Sequence, residues 1–181
     1  MSDLRLRKRH RLRQREIAAL SSSLDGSLGT KTFSELEAVD MAEGPDYDVV
    51  IVGGKILAFV LEGVPFLTVR GLLRYGATKR FVTVDMGAVK FVYNGADVMG
   101  PGIVETDPAI AVNDLVWIRD LKNKRPLAVG RALLGAQEMA RKEKGKAVAC
   151  LHHVGDKLWL VDEPKDKPEE EDRASKDIGS D

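Results

Sequence analysis

Apolar positions in this chain recur in short runs that turn signals interrupt. Across residues 7–24 a run of cations thins into Ile17, Leu20 and Leu24, spaced three and four apart, which predicts an amphipathic helix with an over-basic first half. Ser21, Ser22, Ser23 and Gly26 weaken its end. Residues 48–52 and 56–60 are β-branched apolar runs joined by Gly53-Gly54-Lys55. Paired glycines tolerate the positive φ of tight turns, so this stretch predicts a hairpin. Residues 65–75, with Leu67, Leu72 and Leu73 before Gly76, predict a short helix that closes a first unit, with a boundary near residues 77–80.

Beyond that boundary the period shortens. Residues 81–84 predict a strand, Asp85 a cap, residues 86–94 a helix and Gly95 its left-handed stop. Strand-like runs follow at 103–104, 115–119, 127–134, 147–152 and 157–161, with a helical turn at 137–144 that ends at Gly145. Between them lie Gly100-Pro101-Gly102, Asn113-Asp114, Asn123-Lys124 and Gly155-Asp156. Closely spaced short strands of this kind predict a small barrel. Trp117 and Trp159 fall inside apolar strand-like runs and are expected to anchor a core. From Asp162 onward almost nothing is apolar except Ile178, so the segment is expected to be disordered.

Composition alters this picture mainly through charge. The 181 residues are 44% hydrophobic, enough for a real core, and Lys plus Arg equals Asp plus Glu at 28 each. That balance conceals two opposed ends: Arg5 to Arg15 is basic, and Asp162 to Asp181 is acidic. The single cysteine, Cys150, has no intrachain disulfide partner, and the first residues lack a signal peptide's apolar stretch, so a cytoplasmic location is expected. No apolar run approaches the roughly 20 residues of a membrane helix.

Candidate chemistry is sparse. Gly53-Gly54-Lys55 lacks the spacing and the following Ser or Thr of a phosphate loop, and Ile56 follows instead. Cys150, His152 and His153 lie close together, but zinc wants four ligands or three plus water, and His10 is the only other histidine. Cys150, within Ala147-Val148-Ala149-Cys150-Leu151, reads as a small buried hydrophobe. His152 and His153 should point to opposite faces of a strand, leaving one of them for solvent or ligand. The small residues of Asn94-Gly95-Ala96-Asp97-Val98-Met99-Gly100-Pro101-Gly102 would let a foreign backbone approach closely, and they would equally serve a tight connection in a small barrel. Lys79, Arg80, Lys90, Arg131, Lys146 and Lys157 are the cations available for a phosphate chain.

Val84-Asp85-Met86-Gly87-Ala88-Val89-Lys90-Phe91-Val92, followed by Gly95-Ala96-Asp97-Val98-Met99-Gly100-Pro101-Gly102-Ile103, resembles the opening of a PUA domain, an RNA-binding module. Asn113-Asp114, Ala128-Val129-Gly130-Arg131-Ala132, Gly145-Lys146-Ala147-Val148, His152-His153 and Asp156-Lys157-Leu158-Trp159 follow in the same order. The first unit resembles the domain preceding PUA in the malignant T-cell amplified sequence family and its archaeal relatives, through its basic start, the 48–60 hairpin and Leu67-Thr68-Val69-Arg70-Gly71-Leu72-Leu73. That family tends to carry a proline where this chain has Leu67, and the acidic tail is not part of its pattern.

The resemblance implies an α+β chain, with a small N-terminal α/β pre-PUA domain over residues 1–78 and a C-terminal PUA β-barrel (pseudobarrel) over 79–161; composition adds an acidic tail over 162–181. Its RNA groove would be walled by the first PUA helix and the glycine-rich loop, with the last strand as floor. Carried onto this chain, that names Lys90, Gly95, Ala96, Asp97, Val98, Met99 and Gly100, with His152 or His153 across the groove and Lys157 nearby. The expected function is non-catalytic RNA binding in translation, with structured RNA (tRNA or rRNA), the small ribosomal subunit or a translation-factor partner protein as partners. No cofactor, metal or catalytic set is expected. The alternative is an RNA-binding accessory subunit of a tRNA or rRNA modification enzyme.

Overall fold

The computed structural model of the chain describes residues 4–162. The expected disordered tail, from residue 163 on, lies outside the described residues. Five strands build a first, antiparallel sheet in the order β1-β2-β3-β4-β5: β1 is Arg7–Arg11, β2 Val39–Glu43, β3 Asp48–Val52, β4 Lys55–Leu61 and β5 Val64–Leu67. The expected hairpin is β3 and β4, with Gly53 and Gly54 at φ 59° and 80° in its turn. β3 reads as an unbroken apolar run because both of its faces are covered. Val50 and Val52 pack with Ile17, Leu24 and Leu28 of α1 (Gln14–Leu28), whereas Val49 and Ile51 pack with Leu158 of the last helix.

Three expectations for this half are corrected. Residues 7–11 form a strand, not the first half of a helix. Leu4, Leu6 and Leu12 alternate with arginines, a period of two, and α1 begins only at Gln14. It then runs through Ser21, Ser22, Ser23 and Gly26 until Gly29 ends it at φ 62°. Residues 65–75 divide into β5 and α2 (Val69–Tyr75), because the Thr68 hydroxyl accepts the Gly71 N–H at 3.2 Å and starts the helix there.

The second sheet has six strands in the order β7-β11-β10-β9-β6-β8: β6 is Phe81–Val84, β7 Val98–Met99, β8 Ile103–Thr106, β9 Leu115–Asp120, β10 Pro126–Ala132 and β11 Lys146–His153. β6 and β9 run parallel and the remaining pairs antiparallel. No ladder joins the end strands β7 and β8 among the described residues, so the expected barrel is not closed. β7 has only two residues before the 3₁₀ turn Gly100–Gly102 bends the chain into β8. α3 (Met86–Tyr93) links β6 to β7, and α4 (Ala136–Met139) links β10 to β11.

Residues 157–161, expected as a final strand, form the helix α5 (Lys157–Val161). Asp156 causes this, accepting the Trp159 N–H at 2.9 Å as an N-cap. Trp159 therefore sits half-buried on a helix, with the Arg70 guanidinium 3.8 Å from its ring centroid. Trp117 does anchor a strand, and its indole donates to the Lys79 carbonyl at 2.8 Å. Asp162, expected to open the solvated tail, is buried: its carboxylate accepts the Ile56 N–H at 2.7 Å and lies 3.4 Å from Arg70 Nε. Among the described residues no helix is long and apolar enough to cross a membrane.

One core serves both sheets, since Leu115, Trp117 and Val129 of the second pack with Leu24, Phe59 and Leu72 of the first half. A buried polar knot fastens the same junction. His152 is 2% exposed; its Nε2 accepts the Val69 N–H at 3.2 Å and its Nδ1 donates to Asp156 at 2.9 Å. Burial alone would raise the Asp156 carboxyl, but hydrogen bonds from His152 and from the Trp159 and His153 N–H groups hold it below the ordinary carboxylate value. A depressed carboxyl stabilises the fold above its unfolded pKa and ceases to do so as pH falls through the folded value. Asp156→Ala is therefore expected to cost about 2–4 kcal/mol near neutral pH, from a lost cap and unpaired buried donors. In urea titrations the gap between the variant and the natural chain should hold steady above about pH 5 and shrink below about pH 4.

Candidate nucleic-acid interface

α3 and the loop after it form the walls of an open groove. Asp85 starts the helix by accepting the Ala88 N–H at 2.9 Å, and the Ala96 N–H closes its end on the Phe91 carbonyl at 2.9 Å. Gly95 permits that closure at φ 97°. A side chain there would also meet the His153 ring, since a Cβ would stand 2.7 Å from Nε2. The chain then crosses to β11, where β7 pairs Met99 with Lys146 and Val98 with Val148.

Between these walls lies a cavity of about 330 Å³ lined by Ala88, Phe91, Val92, Ala96, Asp97, Val98, Met99, Gly102 and Lys146. Phe91 on the helix is 58% exposed and Met99 on the loop 47%, so each wall shows a large apolar side chain to solvent. Isolated exposed apolar residues are ordinary, but two lining the same groove with cations beside it fit a flat, apolar ligand surface. Lys146 marks one rim, and Lys90, exposed on α3, places its ammonium 5.5 Å from the Phe91 ring centroid.

The residues expected from the sequence take different parts. Ala96, Asp97, Val98 and Met99 line the groove. Asp97 is engaged within the protein: it accepts the Cys150 N–H at 2.8 Å and pairs with Lys146 at 3.0 Å. The Cys150 amide first, then the Lys146 ammonium, hold its carboxyl below the usual range. Gly95 and Gly100 shape the loop, and Lys90 stands beside it. His152 is withdrawn from the contact candidates by its burial in the knot. His153 is half-buried behind the end of α3, with Nδ1 donating to the Val154 carbonyl at 2.9 Å and near the Tyr93 carbonyl at 3.1 Å. Lys157 begins α5, whose Leu158 packs on the first sheet, and is not among the groove-lining residues.

Two further cations from the sequence reading serve elsewhere: Arg80 pairs with Asp114 at 2.7 Å, Arg131 lies 3.6 Å from Glu62, and both line a separate cleft of about 200 Å³. Sequence reasoning passed over Phe91 as a contact residue. Its signal was the i, i+3 spacing from Ala88 on a helix whose only buried residue is Val92. Burial pushes the Cys150 thiol up to about 11, so at neutral pH it is a protonated hydrophobe rather than a thiolate nucleophile. No group of three or more metal-ligating side chains occurs among the described residues.

Residues 80–154 match the PUA domain family. Uncharacterized protein MJ1432 of Methanocaldococcus jannaschii is 35% identical over 158 residues, spanning 86% of this chain and 98% of that one. Translation machinery-associated protein 20 of Eremothecium gossypii is 28% identical over 146 residues, 77% of this chain and 78% of that one. Malignant T-cell-amplified sequence 1 of Rattus norvegicus is 31% identical over 116 residues, 62% of this chain and 64% of that one. Among solved structures, hypothetical protein PH0734.1 of Pyrococcus horikoshii OT3 superposes with a TM-score of 0.74 at 31% identity, covering 86% of this chain and all of that one.

The groove depends on close backbone approach at its loop. A Cβ on Gly100 would lie 2.0 Å from the Glu143 carbonyl oxygen, a backbone atom that cannot swing aside. Gly100→Ala is expected to cost about 1–3 kcal/mol by overpacking. Chemical denaturation reads that cost, and amide hydrogen exchange should show the 95–102 loop opening faster than in the natural chain.

Proposed function

The chain belongs to the PUA-domain family, alongside MJ1432 and relatives that include the translation machinery-associated and malignant T-cell-amplified sequence proteins. From that premise we propose that it binds structured RNA without transforming it. It acts with the translation machinery in the cytoplasm, taking tRNA or the small ribosomal subunit as its target. Residues 79–161 hold the RNA, and residues 1–78 form a docking side for ribosome or protein.

The observation that carries this reading is the α3 groove itself: an open, largely apolar channel with Phe91 and Met99 exposed in its lining and Lys90 and Lys146 beside it. An aromatic face offers stacking to a splayed base, and lysines at the rim neutralise the adjoining phosphates. Gly95, Ala96 and Val98 keep the loop wall low, so a ribose can approach its backbone. Asp97 acts indirectly, by tying that wall to β11 and holding Lys146 in place. His153 braces the far end of α3.

Phe91→Ala is expected to weaken RNA binding about tenfold, in line with a stacking contribution of about 1–3 kcal/mol. Lys90→Glu should weaken it at least as much, through charge reversal at the rim, with an unchanged melting temperature. Anisotropy titrations with tRNA, small ribosomal subunits and duplex DNA test the whole reading. Preference for one of the RNAs supports it, whereas equal, feeble binding to all three would sink it.

A further inference from the structure

The first sheet carries a second concentration of charge that the groove does not use. Arginine stands at every odd position from 5 to 15, with Lys8 among them. β1 is the outermost strand of its sheet, and all five of its residues are exposed. The fold arranges this through a bulge: pairing shifts between Arg7 and His10, and Lys8 takes φ 52°. Before the bulge Leu4 and Leu6 pack on the Val49 and Ile51 face, whereas Leu12 after it packs on the Val50 and Val52 face. The leucines thus seal both faces of the sheet edge, and the arginines between them are left flanking it on both sides.

Charge pairing within the protein leaves most of this cluster unneutralised. Arg9 and Arg11 share one carboxylate, Asp40, at 2.9 and 2.5 Å, and Lys8 lies 3.8 Å from the exposed Glu43. Arg5, Arg7, Arg13 and Arg15 have no acidic partner within salt-bridge distance among the described residues.

Protection of an edge strand from aggregation accounts for some charge on β1. It does not account for Arg13 and Arg15 at the start of α1, where the helix dipole favours acids and Glu16 is the one acidic residue of the first turn. Nor does it account for arginine rather than lysine at six positions, since the guanidinium's forked donors suit phosphate oxygens.

We propose that the β1 edge, continued by the first turn of α1, is a sequence-independent binding surface for the phosphate backbone of RNA, on a different sheet from the α3 groove. The proposal rests on the RNA-binding reading only for the identity of the polyanion. The edge supplies counterion release and therefore most of the salt dependence of binding, and the groove supplies the apolar contacts.

The test is a set of tRNA titrations with the full chain at salt from about 50 to about 200 mM. Replacing Arg5, Arg7, Arg13 and Arg15 together by Gln should flatten the slope of log affinity against log salt by about two to three, at under one unit per lost phosphate contact. Phe91→Ala should weaken binding and leave the slope unchanged. Lysine at the same four positions should retain the slope, which separates lost charge from lost fold. An unchanged slope in a folded glutamine variant overturns the proposal, whatever Phe91→Ala does. A flattened slope with an inert Phe91→Ala upholds the edge and removes the groove reading instead. If the glutamine variant loses affinity only for an added peptide of residues 163–181 and not for tRNA, the surface serves an acidic protein segment and the proposal falls.

Discussion

The structure turns on the return of its C-terminal end to the first sheet, fastened at His152. One ring nitrogen accepts an N–H at the start of α2 and the other donates to the cap of α5, so a single 2% exposed side chain ties together three elements from both halves. A buried imidazole lacking either partner would leave an unsatisfied polar atom, which makes the knot strict about geometry as well as stabilising. The Asp162 carboxylate repeats the device a few residues on, by accepting the Ile56 N–H of β4. Around these polar ties Trp117, Val129 and Leu115 merge with the core of the first sheet, so the two sheets share an interior.

That shared interior sets the functional geometry. β11 runs from Lys146 at the rim of the groove, past Cys150, which donates to Asp97, to His152 in the knot. A strand anchored at one end in the core is a firm base for a loop made mostly of small residues. The groove is open and largely apolar, and one of its walls is tied to that strand through Asp97. The basic edge of β1 stands on the other sheet, which shares its core with this one.

The PUA segment was legible because its signals are local. Asp85, the apolar helix, Gly95 and the small residues after it each specify their own backbone. The hairpin at Gly53-Gly54 was legible for the same reason. The basic amino end was misread because the step from Ile17 to Leu20 to Leu24 was extended backward over cations. The period of two in Leu4, Leu6 and Leu12 was the better guide. Val39–Glu43 went unnoticed because a strand of mixed polarity against a charged edge has neither clean alternation nor an apolar run.

Local chemistry in the sequence by itself determined the Asp85 cap, the Gly53-Gly54 turn and the α3 helix with its Gly95 stop. Tertiary structure decided the rest. Lys157–Val161 has strand-like composition, but the Asp156 cap and an open apolar face on the first sheet make it a helix. The barrel stays open because β7 ends after two residues, a length that no propensity reports. Which histidine is buried, whether Asp97 faces a ligand or a neighbouring strand, and which cations remain unpaired all depend on contacts between residues far apart in the chain. Such contacts follow from packing, and packing is a property of the whole fold.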